Sequence, residues 1–171
     1  MDVKKLAVIG SGAMGNGIAQ VGIMAGYTVA MHDIEQRFVD KGVNTIKDSM
    51  AKFVSKGKIT EGQNKDALNR LIPTTDLKAA VSDVDLVIEA VFEDLNLKKK
   101  IFADLDALST ARTVLASNTS SMSITQIASA TKRAEKVVGM HFFNPAVLLK
   151  LVRTSARTAS RCLRSMRPRA L

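Results

Sequence analysis

Short apolar runs separate longer stretches of helical periodicity along most of this chain. We predict strands at Leu6–Ile9, Tyr27–Met31, Thr113–Ala116 and Lys136–Met140. Asp85–Ala90 is almost continuously apolar, as expected of a strand that is buried on both faces of a sheet. Strands that alternate with helices are typical of a doubly wound α/β fold with a mostly parallel sheet.

Two consecutive helices are predicted after the second strand. The first carries an apolar stripe with alternating spacings of four and three residues, formed by Val39, Val43, Ile46, Met50 and Phe53. Gly57 is a suitable residue for its C-terminal end. Thr60 and Gln63 have the spacing of a capping box for a second helix, Glu61–Leu71, which Pro73 would end. The two helices therefore form a hairpin inserted between strands.

A glycine motif lies between the first strand and the first helix. Gly10, Gly12 and Gly15 have the spacing G-x-G-x-x-G, which allows a sharp turn, a close approach of pyrophosphate and tight packing of the helix on the sheet. The N-terminus of the helix then offers N–H groups and a positive dipole end to the phosphates. Asp33 ends the second strand about twenty residues on, where a carboxylate accepts hydrogen bonds from an adenosine ribose and favours NAD over NADP.

Two features leave alternatives open at this motif. Three glycines in a turn are by themselves weak evidence, and it is the surrounding strand, helix and acid that favour a dinucleotide site. Asp33 is also placed where it could simply cap the next helix. Arg37 lies nearby in the sequence and weakens the preference for NAD over NADP.

Composition and charge limit the possible classes of protein. The chain has 171 residues, 46% apolar and 4% aromatic, which predicts one domain or slightly more with an aliphatic, Met-rich core. Its single cysteine, Cys162, excludes an internal disulfide and fits a reducing compartment. We expect a cytoplasmic protein, because no apolar run approaches ~18 residues and no signal peptide precedes the first strand. The net charge of +9 is concentrated at the end of the chain, where six arginines and no acids occur from Arg153 onward.

Polar residues follow the last two predicted strands. The cluster at residues 117–121 is rich in serine, and His141 follows the last strand with Asn144 three residues on. Ligands bind at the carboxyl ends of strands in such sheets. Removal of hydride from an alcohol requires a base for the hydroxyl proton, and imidazole is suited to that task near neutral pH. The alternatives are an ordinary loop and a histidine that is merely a satisfied polar residue; His32, the other histidine, is interpreted as structural.

Four segments resemble one enzyme family. They are GSGAMGNGIAQ (10–20), IEAVFEDLNLKK (88–99), SNTSSMSITQIA (117–128) and GMHFFNP (139–145). In this succession the chain is similar, over about residues 3–152, to the N-terminal NAD-binding domain of 3-hydroxyacyl-CoA dehydrogenases of the 3-hydroxybutyryl-CoA type. The resemblance implies a Rossmann sheet and NAD-dependent oxidation of a 3-hydroxyacyl-CoA to the 3-ketoacyl-CoA, or the reverse reaction.

The resemblance also implies roles for individual residues. His141 would be the general base, and Ser120 and Asn144 would bind the reacting oxygen and position the imidazole. Glu93 and Lys98 would lie near the nicotinamide-side ribose. The full set of implied cofactor-binding residues is Gly10, Ser11, Gly12, Ala13, Met14, Gly15, Asp33, Glu93, Lys98, Ser120 and Asn144. Those implied to bind the acyl-CoA are Ser49, Lys56 and Ser120, and no metal site is expected.

The chain departs from the family pattern at Arg153. The family places a glutamate directly after a Lys-Leu-Val stretch, twelve residues past the histidine, where it stabilises the imidazolium. Here Lys150, Leu151 and Val152 are followed by arginine. A positive charge near His141 opposes formation of an imidazolium. The sequence thus leaves open a catalytically impaired NAD-binding module as the alternative to a working dehydrogenase.

The last nineteen residues carry no hydrophobic period. We therefore predict an NAD-binding domain over residues 1–152 and a basic tail, not a domain, over residues 153–171. A shifted reading frame would explain the abrupt change; the alternative is a basic tail that binds RNA or anionic lipid. Neither nucleic acid nor membrane is expected as a partner. The family is usually homodimeric through an all-helical second domain, which we expect this chain to lack.

Overall fold

The computed structural model describes residues 3–149 and 152–155. Its strands are β1 Lys5–Ile9, β2 Thr28–His32, β3 Leu71–Thr74, β4 Leu86–Glu89, β5 Val114–Ser117, β6 Val137–Phe142 and β7 Val152–Ser155. Its helices are α1 Ala13–Met24, α2 Gln36–Ser55, α3 Glu61–Leu68, α4 Leu77–Val81, α5 Leu95–Leu108 and α6 Ile124–Ala128, with a 3₁₀ turn at Ala134–Lys136. None of the helices in these ranges has the length and apolar character needed to cross a membrane.

The strands form a single sheet in the order β3-β2-β1-β4-β5-β6-β7. Strands β1 to β6 run parallel, and β7 pairs with β6 in the antiparallel direction. The order reverses between β1 and β4, which opens a crevice at the carboxyl ends of these two strands. The predicted doubly wound, mostly parallel Rossmann sheet is therefore confirmed.

Both faces of the sheet are covered by helices. Along β1, Leu6 and Val8 belong to one apolar core, while Ala7 and Ile9 belong to the other. The first core is completed by α1, α2 and α3, and the second by α4, α5 and α6. This double burial explains why the central strands are almost continuously apolar in sequence.

The helical hairpin between β2 and the next strand follows the predicted local signals. Gly57 has φ +65 and ends α2, with its N–H donating to the carbonyl of Val54 at 2.8 Å. The Thr60 hydroxyl accepts from the Gln63 N–H at 3.1 Å, and the Gln63 side chain accepts from the Thr60 N–H at 2.8 Å. Both halves of the capping box are thus present.

One predicted boundary in this region is wrong. Helix α3 ends at Leu68 instead of Leu71, and Leu71–Thr74 forms the edge strand β3. Pro73 is part of that strand, where it pairs in register with Met31. An edge strand tolerates proline because only one of its sides has to supply ladder hydrogen bonds. The strand β7 also spans the predicted domain boundary at residue 152.

Candidate functional site

The glycine turn after β1 leaves one open approach to the backbone. Gly10 has φ +97 and donates its N–H to the carbonyl of His32 at 2.8 Å. A Cβ on Gly15 would lie 1.7 Å from the carbonyl oxygen of Gly10, so α1 packs directly on the turn. A Cβ on Gly12 would meet nothing within 4 Å. The turn therefore presents bare backbone at Gly12, as the close approach of a pyrophosphate requires.

The neighbouring turn residues form the start of α1. Gly12 is its N-cap and makes no side-chain capping bond, while the next residue, Ala13, is exposed. Met14 is partly buried against the first core. The first N–H groups of this helix thus face outward from the crevice end of the sheet, where an anion benefits from the helix dipole.

Asp33 fastens the end of β2 to the glycine turn. Its Oδ2 accepts the Ser11 N–H at 2.8 Å and lies 2.8 Å from Ser11 Oγ, and its Oδ1 accepts the Ile34 N–H at 2.8 Å. The N-cap of α2 is Glu35, so the reading of Asp33 as a cap for that helix is wrong. Ser11 is buried, which makes it a structural member of the turn. Contact between Asp33 and a ribose stays a prediction.

Arg37 is engaged by its neighbours. Its Nε lies 2.8 Å from Glu35 Oε2, and its guanidinium lies 4.8 Å from the centre of the Phe38 ring. The carboxylate of Glu35 compensates the cation that would otherwise attract a 2′-phosphate. Part of the charge of Arg37 is thus compensated at the end of β2, which is consistent with the NAD preference that Asp33 predicts.

A buried ion pair joins β4 to α5 beside the crevice. Lys98 Nζ lies 2.6 Å from Glu89 Oε1, and the two side chains are 1% and 0% exposed. Glu89 Oε1 also accepts the Val91 N–H at 2.7 Å, and Glu89 Oε2 accepts the Ser117 hydroxyl at 2.6 Å. Charges this deeply buried are stable only when they are paired and hydrogen bonded.

This ion pair qualifies the interpretation of Lys98. The ammonium group is directed into the network with Glu89, and it also donates to the carbonyl of Val91 at 3.3 Å. Its contact with a ribose stays a prediction. Glu89 was missed as a site residue, although an acid inside the apolar run Asp85–Ala90 is a signal that could have identified it.

The loop between β5 and α6 is tied to both of its neighbours. Thr119 Oγ1 donates to Glu93 Oε2 at 2.9 Å, which brings Glu93, in the loop after β4, to the serine-rich loop. Asn118 Oδ1 accepts the Phe142 N–H at 2.8 Å, which joins the same loop to the end of β6. Asn118 was also missed, because its role depends on a strand that is distant in sequence.

A polar pocket of about 160 Å³ lies where this loop meets β6 and β7. Its lining residues are Thr119, Ser120, Ser121, Met122, Ile124, Gly139, His141, Arg153 and Ser155. The structure therefore brings together the predicted base, His141, and the predicted oxygen-binding residue, Ser120. The imidazole packs at 4.8 Å from the ring of Phe143. Asn144 is exposed and follows in the loop after β6.

Arg153 faces His141 directly across the β6–β7 ladder. The two residues are paired in the antiparallel register, next to the pair formed by Phe142 and Val152. Side chains of directly opposed residues lie on the same face with their Cβ atoms about 4.5–5.5 Å apart. Where the resemblance implies a glutamate, this chain therefore carries an arginine that lines the same pocket as His141.

The remaining predicted residues lie apart from this pocket. Ser49 is partly buried on α2, and Lys56 is exposed at the C-cap of the same helix. Their contact with CoA stays a prediction.

His32 is buried, and its Nδ1 has no hydrogen-bond partner among the described residues. Burial lowers the pKa of His32 below its ordinary value of 6.5, an effect that the charge of Asp33 opposes.

Comparisons with known proteins agree with this geometry. The sequence profile of a family described as 3-hydroxyacyl-CoA dehydrogenase, NAD binding domain, matches residues 5–167. The match continues beyond residue 152, and the domain boundary there stays a prediction. The 3-hydroxybutyryl-CoA dehydrogenase of Clostridioides difficile is 47% identical over 148 residues, which cover 86% of this chain and 52% of that protein.

Two solved structures share the fold. The crystal structure of 3-hydroxybutyryl-CoA dehydrogenase from Escherichia coli K12 has a TM-score of 0.93 and 41% identity, covering 96% of this chain and 35% of that chain. The (S)-3-hydroxybutyryl-CoA dehydrogenase PaaH1 from Ralstonia eutropha has a TM-score of 0.90 and 37% identity, covering 96% of this chain and 59% of that chain.

The sheet order and the glycine turn define a dinucleotide-binding domain of the Rossmann type. Within that class, the chain belongs to the 3-hydroxyacyl-CoA dehydrogenase family and carries its NAD-binding domain. NAD is accordingly its cofactor, and the bare backbone at Gly12 fits it. The chain spans about half the length of the curated relatives it matches, at 52% and 53% of the first two.

Proposed function

We propose that this chain is the NAD-binding and proton-transferring part of a 3-hydroxyacyl-CoA dehydrogenase. One observation carries the proposal: the glycine turn after β1 and the His141 pocket at β6 both occupy the crevice end of the parallel sheet. Backbone amides suited to a dinucleotide and an imidazole suited to a hydroxyl proton therefore share one edge. The substrate would be a 3-hydroxyacyl-CoA, or the 3-ketoacyl-CoA in the reverse direction.

The residues of the chain divide the reaction between them. The turn at Gly12 and the start of α1 would hold the pyrophosphate, and Asp33 the adenosine ribose. When bound, NAD supplies the acceptor for the hydride that leaves C3 of the substrate. His141 takes the proton of the 3-hydroxyl group, so one proton and one hydride leave the alcohol together. Ser120 and Asn144 would hold the oxygen as it becomes a carbonyl.

The buried network around Glu89 holds in place the elements that carry the proposed cofactor and substrate residues. Lys98, Ser117 and the Val91 N–H all bind the Glu89 carboxylate, so the ends of β4, α5 and β5 are held together. A rigid frame matters because small displacements of catalytic groups cost large factors in rate. We infer that Lys98 acts mainly as a positioning residue for the loops around the cofactor.

A second candidate is an NAD-binding module with little or no turnover. The register that places Arg153 opposite His141 favours it, because a cation there opposes the imidazolium formed in the reaction. The serine-protease triad shows that loss of an orienting carboxylate can cost about 10⁴-fold in rate.

The experiment that tests the first proposal measures NAD binding and turnover on the same preparation. We expect weak NAD binding by calorimetry and slow oxidation of NADH in the presence of acetoacetyl-CoA. His141→Gln should abolish the residual turnover and leave NAD affinity unchanged, since His141 lies in the pocket and not in the glycine turn. Turnover that survives in His141→Gln would contradict the role of the imidazole. Undetectable turnover with intact NAD binding would select the second candidate.

A further inference from the structure

The pocket beside His141 is built on one face of the β6–β7 pair. Side chains alternate along a strand, so residues two apart share a face. Gly139 and His141 on β6 are opposed by Ser155 and Arg153 on β7, and all four line the pocket. Gly139 has no side chain to fill the space, and a Cβ there would lie within 2.4 Å of Ser155 Oγ. The glycine thus makes room for the Ser155 side chain, which lines the same pocket as the guanidinium and the imidazole.

The charges around this space are unbalanced. None of the nine lining residues carries a carboxylate. Arg153 makes no ion pair within residues 3–149 and 152–155. Among the lining residues, Thr119 is hydrogen bonded to an acid outside the lining, Glu93, which accepts a hydrogen bond from the Thr119 hydroxyl at 2.9 Å. The lining therefore offers one guanidinium with no anion to compensate it.

Hydroxyl groups surround the same space. Ser120, Ser121 and Ser155 line it from the β5–α6 loop and from β7, and each hydroxyl can donate to an anionic oxygen. Ser120 and Arg153 are exposed, so both remain accessible from solvent. A guanidinium with hydroxyl donors on one open wall is the donor set of an oxyanion site.

We propose that this pocket binds a small free carboxylate, held by the planar fork of Arg153 and by the serine hydroxyls. The guanidinium matches a carboxylate with two parallel N–H···O bonds, which gives directional preference over a spherical anion. A volume of about 160 Å³ is sufficient for an acid of a few carbons. Acetate and short 3-hydroxy acids both meet these conditions, and a 3-hydroxy acid also brings a hydroxyl group to His141.

This inference deepens the proposed function and rests on it only for the role of His141 toward a hydroxyl group. It can be tested without NAD and without turnover, so its failure is distinguishable from failure of the proposed function. The chain has two histidines, one in the pocket and one buried at the end of β2, so the imidazole signals in NMR spectra are readily assigned. His141 reports on the pocket, and His32 serves as the internal control.

The experiment titrates acetate, and separately 3-hydroxybutyrate, into the full chain at constant ionic strength set with chloride. We expect saturable shifts of the His141 ring signals and constant His32 signals. Arg153→Gln should weaken binding about tenfold or more, because a charge-assisted pair is lost. Arg153→Lys should recover only part of the affinity, since it restores charge without the fork. Arg112→Gln is the matched control, because Arg112 lies before β5, pairs with Asp83 and does not line the pocket.

Each outcome decides the proposal. Saturable binding of both acids with similar affinity supports recognition of the carboxylate alone. Tighter binding of 3-hydroxybutyrate than of acetate supports a carboxylate held by Arg153 together with a contact between the 3-hydroxyl group and His141. Shifts that do not saturate, equal affinity in Arg153→Gln, or equal affinity for sulfate would overturn it.

Discussion

Lys98 and Glu89 form an ion pair of 2.6 Å whose two side chains are at most 1% exposed. The carboxylate also accepts the Ser117 hydroxyl and the Val91 N–H, so the pair connects β4, β5 and α5. Such a pair is a weak source of net stability when intact, but it is costly to break because one charge is left without its partner. The pair therefore fixes the shape of the crevice more than it strengthens the fold.

Glu89→Gln should accordingly lower the free energy of unfolding by about 3–5 kcal/mol, because the Lys98 ammonium stays buried without a counter-charge. Urea unfolding followed by circular dichroism measures the loss. Lys100→Met is the matched control, since Lys100 is exposed on the same helix and should change stability by less than about 0.5 kcal/mol. The double variant Glu89→Leu with Lys98→Met should recover much of the loss. Equal effects of Glu89→Gln and Lys100→Met would contradict the buried pair.

Alanine at two glycines of the turn should separate cofactor binding from folding. Gly12→Ala adds a methyl group that meets no protein atom within 4 Å, so stability should be retained while NAD affinity falls. Gly15→Ala places a Cβ 1.7 Å from the Gly10 carbonyl oxygen, so the chain itself should be destabilised. Thermal melts and NAD titrations of the two variants measure this difference. Unchanged NAD affinity in Gly12→Ala would show that the pyrophosphate does not approach the turn there.

Arg153→Glu should raise the rate of NADH oxidation with acetoacetyl-CoA. The substitution places a carboxylate opposite His141 in the β6–β7 register, where it can stabilise an imidazolium. We expect a gain of about 10²-fold or more in kcat, within the range that orienting carboxylates supply in the serine-protease triad. The matched control is Thr154→Glu, which adds the same charge on the opposite face of β7. A gain of similar size in both variants would attribute the effect to net charge alone.

Acid should destabilise the fold through His32. Its pKa is lowered by burial in the folded chain, so between that lowered value and 6.5 the unfolded chain binds more protons than the folded one. The free energy of unfolding therefore falls as pH decreases through this window and is fully retained above it. Urea unfolding at about pH 7.5 and about pH 5.5 measures the slope, which His32→Gln should reduce. An identical slope in parent and variant would exclude His32 as the cause.

The sequence predicted those parts of the fold that depend on local pattern. The buried runs became β1, β2, β4, β5 and β6, and the glycine and capping signals placed the ends of α2 and α3. Strand β3 was missed because its residues are half exposed and because Pro73 resembles a helix stop. Helix α4, Leu77–Val81, is too short for a periodic pattern to emerge.

The candidate site shows the same division. Asp33 and the glycines are close in sequence, and their spacing is sufficient to place them together. Ser117, which donates to Glu89, and Phe142, which donates to Asn118, come from neighbouring strands, so a single sequence gives these residue types but not their contacts. The pairing of Arg153 with His141 depends on a reversal of chain direction between β6 and β7, which the hydrophobic pattern of the sequence does not predict.

The nucleotide site and the His141 pocket lie at the same edge of the sheet but come from different parts of the chain. The nucleotide site is formed by β1, α1 and β2, which follow one another in the chain. The His141 pocket is complete only when β7 pairs with β6 in the antiparallel direction. A protein shortened before residue 152 would therefore keep the residues of the nucleotide site but lose Arg153 from the pocket. Shortening the chain at this point would therefore separate cofactor binding from ligand binding in the His141 pocket.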